Sequence, residues 1–407
     1  MAKRLVGTVD EQKMERLARV VHGAKGQFKK LRDRRSRRGR RFVFVEVIVM
    51  GLMAMICGCN DAEEMAVWAE LHSDWLEQWF DLKHGTPSQD TILRVFQMAN
   101  PKVLAEGIRG WLGALRPGLA KHIAIDGKAL RGTRKAGQDK PAVYLVNAWL
   151  REAGLVLGQV KTHDKSNEIT AIPALLEVLD IVGCTVTIDA VGCQKEITEQ
   201  IVDQRGHYVV AVKGNQPTLH QDIERLFVEA ADIRRRTADE LARPEMTSVR
   251  DVDSGHGRIE ERTMHLSRDL SWLTTAEDWK GLSSVGMVES KCTDEVTGKE
   301  QSDKRYYIVS DPTMTAERLM EFVRRHWSIE NELHWVLDVE FGEDRSRIRQ
   351  RNAAENFGAL RRMALSLLKA APSPKKRMSI SLRRKYCDHS LEYFCRVLAT
   401  DPLPVAV

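Results

Sequence analysis

The stretch from His122 to Gln216 constrains the fold more than any other part of the chain. HIAID, AVYLVNAWL and LVLGQVKT are three β-branched or apolar runs with turn residues between them, which predicts a strand meander. EITAIPALLEVLDIV then has helical spacing, TVTID reads as a buried strand, QKEITEQIVDQ as a helix and HYVVAVKGNQ as a strand. The predicted order is β-β-β-α-β-α-β. Its first and fourth strands end in aspartates, Asp126 and Asp189.

This is the sheet order of the ribonuclease H-like fold, where the first and fourth strands are neighbours. Asp126 and Asp189 would then stand side by side. A third carboxylate, Glu330, lies in a helical stretch, RRHWSIENELHWVLDVEF. Two strand-terminal aspartates and a later helical glutamate suit a site for two divalent ions, which can clamp the attacking and leaving oxygens of an in-line displacement. Magnesium, with manganese as a substitute, prefers such carboxylate oxygens. Each residue also has a plainer reading. Asp126-Gly127 is ordinary turn chemistry. Stepping by three and four from Val323 gives Trp327, Glu330, Leu333, His334 and Leu337, a stripe that should face the core. A glutamate there would bind metal or pair with Arg324 or Arg325, and Asp338 is a candidate supporting partner.

With 407 residues and 43% hydrophobic content, the chain can bury a sizeable core in two or three domains. The net charge of +6 is unevenly placed. Ten Lys or Arg and one acid, Asp33, fall between Lys25 and Arg41. Such a run is either a solvated arm or a phosphate-contacting element, with Arg34, Arg35, Arg37 and Arg38 as candidate DNA contacts. The seven cysteines form no CxxC pair, which argues against a disulfide framework and a zinc site and fits a reducing cytoplasm. MAKRLVGTVDEQK lacks the apolar core of a leader, and Val47 to Cys57 is too short to span a bilayer and reads as a buried helix. No GxGxxG or Walker loop supports nucleotide-triphosphate use.

The predicted organisation is a basic arm (1–41), an all-helical domain (42–116), an α/β core (117–213 and 305–370), a β-rich insertion (214–304) and a basic tail (371–407). Arg116-Pro117-Gly118 marks the first boundary. The insertion reads as polar and irregular with strand-like pieces. Lys128, Arg131 and Arg134 would hold the scissile strand or be exposed loop charges. Lys213 and Asn215 would sit at the sheet end that carries the aspartates. Trp327 and Trp335 read as core residues before base-stacking platforms. His326 and His334 lack the spacing of a helical zinc pair.

IAIDGKALRGT, KSNEITAIPALLEVLDI, TVTIDAVGCQKEI, YVVAVKGNQPTLH and RHWSIENELHWVLDVEFGEDRSRIR resemble the DDE transposases of the H-repeat-associated, ISAs-type insertion-sequence group. GRRFVFVEVIVMGLMAMICGCNDAEEMAVWAE and GTPSQDTILRVF resemble that group's N-terminal associated domain. The resemblance implies a ribonuclease H-like core with a triad on Asp126, Asp189 and Glu330. It also implies a bacterial mobile-element protein that cuts DNA at element ends and joins them to target DNA. Wider relatives carry tyrosine, arginine and lysine where this helix has Val323, His326 and Leu337. That leaves His326, Asn331 or His334 as candidates for the phosphate-binding role. Two element ends imply a homodimer on DNA, in the cytoplasm with the nucleoid. The alternatives are an inactive or domesticated DNA-binding relative and a stand-alone metal-dependent nuclease.

Overall fold

The computed structural model describes residues 11–36, 40–113, 122–134, 141–162, 168–236, 246–255 and 257–398. In chain order the elements begin with six helices: α1 Glu11–Gln27, α2 Phe44–Ile56, α3 Ala62–Leu71, α4 Ser73–Leu76, α5 Gln89–Met98 and α6 Pro101–Gly113. Then come β1 His122–Leu130, β2 Val143–Leu150, β3 Leu155–Thr162, α7 Glu168–Leu176, β4 Thr185–Ile188, α8 Lys195–Asp203 and β5 His207–Val212. This is the expected β-β-β-α-β-α-β order. The stretch read as polar with strand-like pieces holds α9 Pro217–Arg236, β6 Met246–Gly255, β7 Arg258–Ser267 and β8 Ser284–Asp294, and it runs into β9 Glu300–Val309. The chain continues with α10 Ala316–Ile329, α11 Trp335–Val339, α12 Ala353–Ala370, α13 Ile380–His389 and α14 Leu391–Leu398.

The fold is mixed α/β with a large mixed sheet, and the chain divides into two compact units. One holds Met1–Leu119, Gly127–Lys165 and Glu330–Val407; the other holds Ala120–Asp126 and Ser166–Ile329. The first unit is built around α12, where nearly every residue is buried. It packs against α2, α5, α6 and β3. The α2 sequence FVEVIVMGLMAMI is apolar on all sides, so it gains by burial all round. It is the buried helix expected there, and among the described residues no helix is long and apolar enough to cross a membrane. Its one acid, Glu46, is neutralised by Lys25 at 2.6 Å and accepts the Asp81 N–H at 3.0 Å. Helix ends are tied by long polar side chains. Asn356 donates to the carbonyls of Phe96 and Ala99 at the end of α5. Arg384, 4% exposed, donates to the Met55, Cys59 and Glu340 carbonyls, and burial brings its guanidinium down to about 10.

In the second unit the strand order runs β1-β4-β5-β9-β8-β7-β6. β1, β4 and β5 are parallel neighbours; β5 pairs antiparallel with β9, and β9-β8-β7-β6 continue antiparallel in that order. The polar strands β6 to β8 therefore extend the sheet. Their polarity follows from exposure, since much of β6 and the outer half of β9 face solvent. Where the strands are covered, α10 lies on them through Leu319, Met320, Phe322 and Val323. Gly286 permits that approach, because a Cβ there would come within 2.4 Å of Leu319 Cδ2.

Candidate active site

The register of β1 and β4 decides where two of the acids stand. Ile125 pairs with Ile188, so Asp126, which lies inside β1 and does not end it as expected, and Asp189, the first residue after β4, follow at the same level of adjacent parallel strands. Neighbouring strands are about 4.8 Å apart. Both aspartates are half-buried while the isoleucines before them are buried. The chain turns at once after Asp189, which caps a short 3-10 turn, Ala190–Gly192, by accepting the Val191 N–H at 3.0 Å. That turn needs a glycine: a Cβ on Gly192 would meet Ile188 Cγ2 at 2.4 Å. The turn after β5 braces it. Asn215 donates to the Ala190 carbonyl at 2.7 Å and Gln216 to the Cys193 carbonyl at 2.8 Å. Asn215, expected near DNA, thus holds the aspartate loop, while Lys213 is exposed.

Beneath this pair lies a polar chain that the sequence did not announce. Thr187 on β4 joins the buried His122 Nε2 at 2.9 Å and His326 Nδ1 on α10 at 2.9 Å. His326 is therefore anchored to the strand that delivers Asp189. Its pattern position gave no sign of this, because the hydroxyl and the two imidazoles are far apart in sequence.

In the other unit, a π-helical turn spans Glu330–His334. Such turns insert a residue into the helical ladder and recur at functional sites. Here the turn leaves the Glu330 side chain 63% exposed and buries His334, with Oε2 and Nδ1 3.4 Å apart. Burial lowers the His334 pKa, and the Glu330 hydrogen bond opposes that shift. The core-facing reading of the whole stripe is corrected: Val323, Leu333, His334 and Leu337 are buried, but Trp327 and Trp335 are 50% and 56% exposed. Trp327 lies under the Arg305 guanidinium at 4.1 Å. Arg324 pairs with Asp251 and Arg325 with Glu321. Asn331 is exposed.

Lys128 is neither a loop charge nor a surface contact. It lies inside β1, 9% exposed, and reaches Asp338 at 2.6 Å and Asp344 at 3.8 Å. Burial raises the Asp338 pKa against the pull of Lys128. Arg131 opens a short turn and is exposed, 3.6 Å from Asp344. Arg35 is likewise corrected as a surface contact: it is 4% exposed and forks onto Asp33 at 2.9 and 2.8 Å. Arg34 is exposed, and Arg37 and Arg38 lie outside the described residues. All seven cysteines are free thiols.

A family model described as the transposase DDE domain matches residues 117–367, and one for the region associated with it matches residues 26–112. The chain belongs to the DDE transposase family. "Putative protein YbfL" of Escherichia coli (strain K12) is 37% identical over 364 residues, covering 88% of this chain and 92% of that one. "H repeat-associated putative transposase YhhI" of the same organism is 36% identical over 365 residues, covering 88% and 93%. A piggyBac transposase synaptic complex with hairpin DNA superposes with a TM-score of 0.43 at 12% identity, over 97% of this chain and 84% of that one. The transposase is thus an insertion-sequence enzyme, a polynucleotidyl transferase with endonuclease activity, of the H-repeat-associated group. The family's chemistry implies a divalent metal and DNA as partner.

Proposed function

We propose that the transposase cuts DNA at the ends of its element and joins the freed 3′ ends to target DNA, using Asp126, Asp189 and Glu330 on a ribonuclease H-like core. The observation that carries this is the shared level of Asp126 and Asp189 on neighbouring parallel strands. Glu330 and His334, 3.4 Å apart, add a carboxylate and an imidazole as candidate ligands. Carboxylate oxygens suit magnesium or manganese, and the absence of a cysteine ligand set among these residues disfavours zinc. When bound there, two such ions would activate water or a 3′-hydroxyl and stabilise the leaving oxyanion. The chain's own residues hold the donors in place. The Val191 N–H fixes one Asp189 oxygen, Asn215 and Gln216 fix its loop, and the π turn presents Glu330.

The remaining parts divide the work with DNA. The 1–41 arm and the 42–116 helical domain bind the terminal repeats, and the insertion handles DNA ends. Arg34, Arg37, Arg38, Arg131, Lys213 and Asn331 are phosphate contacts. His326 is a positioning residue through Thr187. Two chains act on two ends, in a bacterial cytoplasm at the nucleoid.

The test is nicking of supercoiled DNA with magnesium or manganese, native chain against Glu330→Gln and Asp189→Asn. Loss of metal-dependent nicking in both variants, with DNA binding and thermal midpoint kept, supports the triad. Nicking that survives both substitutions rules it out. Cut ends without joined products favour a stand-alone nuclease, and binding without nicking favours an inactive relative.

A further inference from the structure

A second basic feature lies in the first unit, away from the N-terminal arm. Between Arg345 and Arg349 exposure alternates residue by residue: Arg345, Arg347 and Arg349 face solvent, and Ser346 and Ile348 are half-buried. Ser346 is extended, at φ −65° and ψ 121°. Two residues of extended chain advance about 6.6 Å, so these arginines are rooted as a comb at about that spacing along the backbone. This is close to the separation of consecutive phosphates along one nucleic-acid strand.

The comb forms one wall of a groove of about 650 Å³, and the polar face of α5 forms the other, with Gln89, Arg94 and Gln97. Gln97 donates to Gln350 across one end at 3.0 Å. Two acids, Asp61 and Asp90, also line it, but Asp61 is committed to capping α3 through the Glu63 and Glu64 N–H groups. Among the described residues, Arg94, Arg345 and Arg347 form no ion pair. The segment is held rigidly by its neighbours. Arg349 donates to the Gly132 carbonyl at 2.9 Å, and a Cβ on Gly132 would meet the Ser346 and Asp344 carbonyl oxygens at 2.5 and 2.6 Å.

We infer that the groove between α5 and residues 345–350 is a DNA backbone site, in which Arg94, Arg345 and Arg347 each contact a phosphate. The inference rests on the reading of the chain as a DNA-cutting transposase and adds a site to it. Planar guanidiniums suit phosphate recognition, because each presents two parallel donors. The half-buried Leu93 and Ile348 on the groove lining offer apolar contact to sugars.

The experiment measures DNA affinity against salt for the full chain and for Arg94→Gln/Arg345→Gln/Arg347→Gln. A control removes three exposed charges elsewhere, Arg205, Arg318 and Arg396. Three lost phosphate contacts should flatten the log–log salt slope by about 2.7 on duplex DNA, or about 2.1 on a single strand. The control slope should stay that of the native chain, as should the thermal midpoints of both. An unchanged slope in the groove variant, or an equal loss in the control, overturns the groove while leaving the transposase reading intact. A native chain that binds no DNA at all sinks both.

Discussion

Glu343 and Arg362 are both fully buried and meet at 2.7 Å, with Arg361 at 4.0 Å. Burial pushes the Glu343 carboxyl up, but Arg362 and Arg361 outweigh it and hold its pKa below the ordinary value of 4.5. A depressed folded pKa contributes stability that is present above the unfolded value and lost as pH falls through the folded one. Acid should therefore loosen this unit below about pH 4.5. Glu343→Gln at pH 7 leaves Arg362 buried without its counter-charge and should cost about 3–5 kcal/mol. Denaturant unfolding at pH 7 and pH 4 checks both points; a variant as stable as the native chain at pH 7 would count against the pair. Thr187→Val should cost about 1–3 kcal/mol by stranding two imidazole nitrogens, with Thr187→Ser restoring most of it. Equal melting of all three chains would mean the His122–Thr187–His326 chain does not stabilise the fold. Neither network was legible in the sequence. Spacing reports which residue types recur along one element, whereas Glu343 with Arg362, and Thr187 with His122, meet only through tertiary packing.

At the scale of elements, periodicity served well where one period persists. The alternating and buried runs gave β1 to β5 in order, and with them the neighbouring aspartates. It failed at Glu330, which opens a π turn and is exposed, although Leu333, His334 and Leu337 are buried as the stripe expects. Trp327 precedes that turn and stays at the surface under the Arg305 guanidinium, and Trp335, read as core from its residue type, is 56% exposed. The insertion gave only strand-like pieces, because exposed strands such as β6 lack the apolar alternation that marks a half-buried one. The turn Arg131–Thr133 carries its own prediction. Gly132→Ala drives a methyl against two backbone oxygens that no rotamer change can move. It should lower the thermal midpoint and displace residues 344–346, weakening DNA binding with them. Unaltered melting would show that the turn can lift away from residues 344–346 at no cost.

At the scale of the whole molecule, the contact pattern interleaves the sequence. The chain passes between the compact units at four points, two of which are the Asp126–Gly127 and Ile329–Glu330 bonds. No composition shift marks either bond, so length and linkers alone could not reveal this division. Two of the three acids flank those crossings, which ties the proposed chemistry to how the chain is threaded. Each chain carries one set of Asp126, Asp189 and Glu330, whereas an element has two ends, so a symmetric pair of chains is the economical assembly. This can be read by mixing the native chain with Glu330→Gln at fixed total concentration. If each chain cuts one end, doubly cut product should fall with the square of the native fraction, and singly cut product should accumulate. A linear fall without singly cut product would mean that one chain serves both ends in turn. Light scattering of the chain on paired end DNA gives the independent check, with two chains per complex expected and one chain per complex decisive against the pair.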